Sequence, residues 1–185
     1  MSVLIVRYSI IQTMKTFIIA AMTADGYIAK DAIHSPFNWT GKADKKRFIE
    51  LTKRAGVIVV GSNTYKTFPG ALKDRLNVVY SRSKTFEGAE TTQDTPEELL
   101  AKLDARGFSE VAICGGEAIY TMFMKAKVVN KLYLTIEPIL FGKGVRLFKD
   151  DMLFNLKLIS AQESFGGSLL LEYDVDYTGN QKTTE

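Results

Sequence analysis

Val111-Ala112-Ile113-Cys114-Gly115-Gly116-Glu117-Ala118-Ile119-Tyr120 passes from a short apolar run, through two glycines, into a run of helix-forming residues. An apolar run of this length bounded by turn residues reads as a buried strand, here Val111 to Cys114. Glu117 to about Lys125 reads as a helix. Glycines at the junction let the chain turn sharply and leave backbone amides open to whatever lies beyond the strand. Strand, glycine turn and helix in succession form the repeating unit of a parallel sheet flanked by helices.

The same alternation runs upstream. Phe17 to Met22 is an apolar run that reads as a central strand, followed by the turn Asp25-Gly26, a brief Tyr27-Ile28-Ala29 and a polar loop from Lys30 to Asn38. Asp44 to Arg54 reads as a helix, with Phe48, Leu51 and Thr52 at helical spacing and Gly56 as its terminator. Val57 to Val60 and Asn77 to Tyr80 are further strands, the first leading through Gly61-Ser62-Asn63-Thr64 into a short helix, the second into Ser81-Arg82-Ser83. Thr95-Pro96-Glu97-Glu98 carries the capping-box pattern and starts a helix that runs to about Arg106 and closes at Gly107. Lys131 to Ile136 is a fifth strand. Leu156 to Gln162 and Leu169 to Tyr177 form a hairpin around Phe165-Gly166-Gly167-Ser168. The expectation is a single α/β domain: a mostly parallel central sheet, an antiparallel C-terminal hairpin, and helices on both faces.

The length of 185 residues suits one such domain. We place it at residues 14–178, with an N-terminal extension at 1–13 and a flexible tail at 179–185. The fold begins at Met14-Lys15-Thr16-Phe17; the competing reading of the extension is an additional edge strand. A net charge of +3 with scattered Lys and Arg speaks against a nucleic-acid-binding stripe, and no apolar run is long enough to span a membrane. One cysteine, Cys114, and one histidine, His34, provide neither a disulfide nor a zinc set. A cytoplasmic enzyme without metal, acting on a small molecule as a monomer or homodimer, is the class that remains.

In open α/β sheets, ligands bind beyond the carboxyl ends of the strands. Three turns there carry Gly, Ser or Thr: Gly61 to Thr64, Ser81 to Ser83, and Gly115-Gly116-Glu117. Each alone reads equally as an ordinary turn. Together at one sheet edge they suit the phosphates of a dinucleotide, although the Gly-x-Gly-x-x-Gly spacing is absent. Arg82 is either a solvated surface arginine or the partner of the 2′-phosphate that distinguishes NADPH from NADH. Asp44, five residues after Trp39, is either a helix cap or a carboxyl at the mouth of an apolar pocket lined by Trp39 and Phe48. In a pocket its pKa would rise, and it would serve proton delivery.

From Lys15 to Tyr177 these pieces resemble dihydrofolate reductase. Ile19-Ala20-Ala21 resembles the family's first strand, Asp25-Gly26-Tyr27-Ile28-Ala29 the start of its mobile loop, and Trp39 with Asp44 its loop tryptophan and catalytic acid. Gly61-Ser62-Asn63-Thr64, Ser81-Arg82, and Cys114-Gly115-Gly116-Glu117-Ala118-Ile119-Tyr120 resemble its cofactor turns, and Leu132-Tyr133-Leu134-Thr135 its strand whose threonine supports the acid. The resemblance implies NADPH on these turns, with Ala21, Ile28 and Tyr120 beside the nicotinamide. It implies reduction of dihydrofolate to tetrahydrofolate with Asp44, Thr135 and Trp39 in catalytic roles. The substrate side would be Ile19, Ala20, Asp44, Phe48, Phe68, Leu72, Thr135 and Arg75, the last matching the arginine that holds the glutamate α-carboxylate of folate. Three departures stand out: Ser62 replaces a common arginine, Glu117 replaces a glycine, and the Ala29 to Trp39 loop is long. Pro138 to Phe148 is more similar to the reductase domain of bacterial riboflavin biosynthesis, whose substrate is a ribosylated aminopyrimidine. A non-catalytic NADPH-binding module is the remaining alternative, and the pairing of Asp44 with Thr135 argues against it.

Overall fold

The computed structural model describes residues 14–82 and 84–178. The extension at 1–13 and the tail at 179–185 lie outside the described residues. Strands β1 (Lys15–Thr23), β3 (Val57–Gly61), β4 (Leu76–Tyr80), β5 (Glu90–Thr92), β6 (Glu110–Ile113), β7 (Lys131–Glu137), β9 (Asn155–Glu163) and β10 (Leu169–Asp176) build one sheet. Its order is β5-β4-β3-β6-β1-β7-β10-β9. The pairings from β5 through β7 are parallel, and β10 runs antiparallel to both β7 and β9. Strands β2 (Tyr27–Ala29) and β8 (Val145–Arg146) pair as a separate two-stranded ribbon.

Helices cover both faces, which explains why the central strands read as unbroken apolar runs. Successive residues of one strand enter opposite cores: Val57 and Val59 join one cluster, Ile58 and Val60 the other. Helix α1 (Lys42–Ala55) covers the second face through Phe48, Leu51 and Ala55, together with Tyr65 of the short helix α2 (Ser62–Tyr65). Helices α3 (Pro96–Ala105) and α4 (Glu117–Lys125) cover the first through Leu99, Leu100, Leu103, Ile119, Phe123 and Met124. Phe123 is fully buried, and its truncation to alanine would cost ~3–5 kcal/mol.

The capping box at α3 is present, with Glu98 N–H donating to the Thr95 hydroxyl and the Thr95 N–H donating to the Glu98 carboxylate. The structure departs from the sequence reading at several element ends and in two strands, three of these bearing on the site. Helix α1 begins at Lys42 with Gly41 as its cap, so Asp44 sits inside the first turn rather than capping it. Strand β6 ends at Ile113, because Cys114 already belongs to the turn. Strands β5 and β8 carry no apolar run; β5 is the polar, exposed sheet margin, and β8 has only two residues.

Strand β8 forms because the Pro138 to Phe148 segment is strapped to the β1–β2 turn. The Asp25 carboxylate accepts from the backbone N–H groups of Phe141 and Gly142, and Ala24 N–H donates to Ile139 C=O. Thr23 donates to the same carboxylate at 2.5 Å. Among the described residues no helix is long and apolar enough to cross a membrane.

Candidate active site

Parallel strands point their carboxyl ends to one sheet edge, and α1 and α4 leave that edge on opposite faces. Between them opens a cleft of about 420 Å³. Its floor is the end of β1, Ile19, Ala20 and Ala21; Asp44 and Phe48 of α1 form one wall, and Gly115, Gly116 and Tyr120 the other.

Asp44 is 8% exposed. Its carboxylate accepts hydrogen bonds from the hydroxyls of Thr135 and Thr40. Removal from water is the largest influence and pushes the carboxyl pKa up; the two hydroxyls pull it down, the Glu137 charge adds to the upward push, and Arg47 opposes it. Thr135 itself is buried behind Asp44 rather than lining the cleft. Arg47 is locked by donating to Leu134 C=O at 3.1 Å and Leu171 C=O at 2.8 Å, with its guanidinium over the Tyr133 ring.

On the opposite wall the peptide bond between Gly115 and Gly116 is cis. Gly115 has φ +114°, and a Cβ there would lie 3.1 Å from the Tyr120 hydroxyl; a Cβ on Gly116 would lie 2.9 Å from Thr64 Oγ1. Gly115 needs glycine for its φ, and a side chain at Gly116 would force the Thr64 hydroxyl to move. Gly116 caps α4 without a side-chain hydrogen bond, so the first amides of a nine-residue helix stay open to the cleft. Gly61 N–H donates to Gly115 C=O at 2.7 Å and joins the two turns. Tyr120 is fixed by donating to Ile19 C=O at 2.8 Å.

A second depression adjoins the first and shares Ser62 and Tyr80 with it; Ser81, Arg82, Thr92, Gln93 and Asp94 complete it. Asp94 is engaged by Lys102, whereas no ion pair holds Arg82 among the described residues. The Tyr80 hydroxyl is buried without a hydrogen-bond partner. A glycine-walled cradle at a helix N-terminus, an unpaired hydroxyl between the two depressions and an exposed arginine beyond them fit an extended phosphorylated dinucleotide. Glu117, in the first turn of α4, opposes this by its charge.

Most of the residues singled out from sequence meet here. Ile19, Ala20, Ala21, Ile28, Asp44, Phe48, Phe68, Gly61, Ser62, Asn63, Thr64 and the run Cys114 to Tyr120 all line the cleft. Four do not. Trp39 lies behind the wall, against Phe141 (centroids 5.2 Å apart) and stacked on His34 (6.4 Å), so His34 rather than Trp39 faces the cleft. Leu72 packs in the apolar cluster with Phe68, Phe48 and Phe37. Arg75 is anchored outside the cleft, donating through Nη1 to Thr52 Oγ1 and through Nε to Lys73 C=O. Arg82 occupies the adjoining depression. Sequence reasoning missed His34, Phe37, Thr40, Lys45, Tyr80 and Val145. Thr40, Lys45 and Tyr80 had a signal, lying within four residues of Asp44 or next to Ser81; His34, Phe37 and Val145 come from chain returns that no local spacing reveals.

The family model described as dihydrofolate reductase matches residues 15–139. A bifunctional dihydrofolate reductase-thymidylate synthase of Acanthamoeba polyphaga mimivirus is 32% identical over 139 residues, covering 66% of this chain and 24% of its own. This chain thus spans about a quarter of that relative's length. The dihydrofolate reductase of Staphylococcus haemolyticus is 30% identical over 122 residues, covering 66% and 69% of the two chains. In fold, the chain is similar to a diaminohydroxyphosphoribosylaminopyrimidine deaminase/5-amino-6-(5-phosphoribosylamino)uracil reductase of Thermotoga maritima, with TM-score 0.76, 18% identity, and coverage of 92% of this chain and 59% of that one.

Proposed function

The chain belongs to the dihydrofolate reductase family, and from that premise we propose that it reduces 7,8-dihydrofolate to 5,6,7,8-tetrahydrofolate with NADPH. One observation carries the substrate assignment. Asp44, Phe48 and Thr52 recur every four residues on one face of α1; the first two line the cleft and the third holds Arg75. At 1.5 Å per residue this face spans about 12 Å. A folate presents in the same order a pterin edge, an aryl ring and an α-carboxylate. Asn77, 3% exposed, fixes the Leu72 to Arg75 loop by donating to Leu72 C=O and Arg75 C=O and accepting from Leu72 N–H. The arginine is therefore presented from a rigid loop, and among the described residues none engages its second terminal nitrogen, which would take a carboxylate.

NADPH, when bound, supplies the hydride for C6 of the pterin, and N5 takes a proton, so NADPH, dihydrofolate and H⁺ give NADP⁺ and tetrahydrofolate. The chain's part is placement and proton supply. Backbone amides of the Gly115-Gly116 turn and the Thr64 hydroxyl hold phosphate, and Ser81 and Arg82 receive the 2′-phosphate. Ala21, Ile28 and Tyr120 shape the nicotinamide side. Asp44 grips the 2-amino and ring-nitrogen edge and, as a buried acid, favours protonation at N5. The 30–38 loop, from which His34, Pro36 and Phe37 face the cleft, excludes water.

A second reading has one observation in its favour. Among the described residues that line the cleft Lys45 is the one Lys or Arg, and it would suit the phosphate of a ribosylated aminopyrimidinone. Steady-state loss of NADPH absorbance with dihydrofolate, compared with the ribosylated aminopyrimidinone phosphate, separates the two. We expect turnover with dihydrofolate only; turnover confined to the aminopyrimidinone overturns the assignment, and consumption of NADPH with neither substrate overturns the reductase reading.

A further inference from the structure

Strand β7 places two polar side chains, Thr135 and Glu137, on the face turned toward α1, as alternate residues of a strand must be. Thr135 is explained by its hydrogen bond to Asp44. Glu137 is a second buried carboxylate, 4% exposed, that the reaction does not consume. Its Oε1 accepts from the backbone N–H of Gly41, the cap of α1, at 2.7 Å. Its Oε2 accepts from the Ser168 hydroxyl, itself 4% exposed, at 2.7 Å. A Cβ on Gly41 would lie 3.4 Å from Glu137 Oε1 and 3.6 Å from Ser168 Oγ, ordinary contact distances, so the carboxylate and hydroxyl close directly over the start of the helix.

Helix α1 has no side-chain cap of its own. A carboxylate from a neighbouring strand does that work, where a negative charge is also favoured by the helix dipole. The helix so held carries Asp44 three residues later, and the C-terminal hairpin is tied to it through Ser168.

We propose that Glu137 is a positioning residue of this site: its carboxylate caps α1 from β7, ties the start of that helix to the C-terminal hairpin through Ser168, and acts on Asp44 one turn further along. This rests on the reading of Asp44 as the proton donor. The groups acting on Asp44 are Thr40 before α1, Arg47 on α1, Thr135 and Glu137 on β7, and Tyr120 on α4. Lys45 of α1 also borders the cleft. Arg47 is the opposing charge, and its field is shared with Glu172 of β10. Loss of the Glu137 charge would therefore remove one of the influences that raise the Asp44 pKa.

The test is Glu137→Gln, followed by carbon-detected NMR titration of the Asp44 side chain in the full chain. The glutamine oxygen still accepts from Gly41 N–H and its amide donates to the Ser168 oxygen, so only the charge is lost. We expect the Asp44 midpoint to fall, with melting temperature little changed. Glu137→Ala should lower melting temperature, and Gln should rescue that loss without restoring the midpoint. A midpoint in the Gln variant that matches the unsubstituted protein overturns the proposal. Should that variant fail to fold, Ser168→Ala keeps the Gly41 contact and loosens the hold on the Glu137 charge, so the midpoint must hold or fall; a rise overturns the proposal. The readout needs no substrate, so a failed dihydrofolate assay would refute the proposed reaction and leave this test standing.

Discussion

Asp44→Asn separates what the acid does for the reaction from what it costs the fold. Asparagine has nearly the same shape and keeps an oxygen to accept from Thr135 or Thr40, but carries no proton to give. Loss of a general acid lowers turnover by ~10²–10⁴. Stability moves the other way. Burial raises the Asp44 pKa above its ordinary value of 3.8. The stability this contributes is complete below the unfolded value and is lost as pH rises through the folded one. At neutral pH the native protein has forgone about 1.4 kcal/mol for each unit of that displacement. Asparagine does not titrate and recovers that energy. In a domain of this size each kcal/mol is worth about 2–4 °C. Calorimetric melting of both proteins from acid to neutral pH should therefore show a variant that gains on the parent as pH rises and loses the gain as pH falls toward the unfolded value. Initial rates of NADPH oxidation should show the activity loss, partly recovered at low pH, where the substrate arrives protonated. A variant less stable than the parent at neutral pH, or one with unchanged turnover, refutes the reasoning.

Arg75→Ala should raise KM for dihydrofolate by ~10–100-fold through loss of a charge-assisted contact, while leaving turnover of a dihydropterin without the glutamate tail unchanged; equal effects on both would refute its carboxylate role. Gly116→Ala drives a methyl group toward Thr64 Oγ1 and should weaken NADPH binding at least ~10-fold by fluorescence titration; unaltered binding would remove the glycine cradle from the cofactor site. Arg82→Ala should weaken NADPH but not NADH, since only the former carries the 2′-phosphate; parallel losses would show that the arginine acts on something common to both.

The fold was legible wherever one face of an element is repeated in its own residues. Val57 to Val60 and Val111 to Ile113 are buried on both sides, so their composition alone marks them as central strands. The box at Thr95 is local chemistry and needs no tertiary information. The strands that escaped, Glu90–Thr92 and Val145–Arg146, exist because a partner strand or the Asp25 strap offers them hydrogen bonds. The site was legible in its turns and in Asp44, since their roles depend on adjacent residues. Trp39 and Arg75 were placed by spacing alone, and spacing does not report which way a loop folds: Phe141, over one hundred residues further along, decides where the indole packs. Glu137 was invisible for the same reason, because its partners Gly41 and Ser168 come from opposite ends of the chain.

The central claim is that a buried carboxyl with a raised pKa supplies the proton in concert with hydride arriving beside it. Single-turnover oxidation of NADPH and of its 4-deuterated form by dihydrofolate, followed across pH, tests it most directly. The account predicts a rate that falls as pH rises, with a midpoint above the ordinary aspartate range and a primary isotope effect on the hydride step. A rate that shows the isotope effect but stays level from acid to alkaline pH would contradict it.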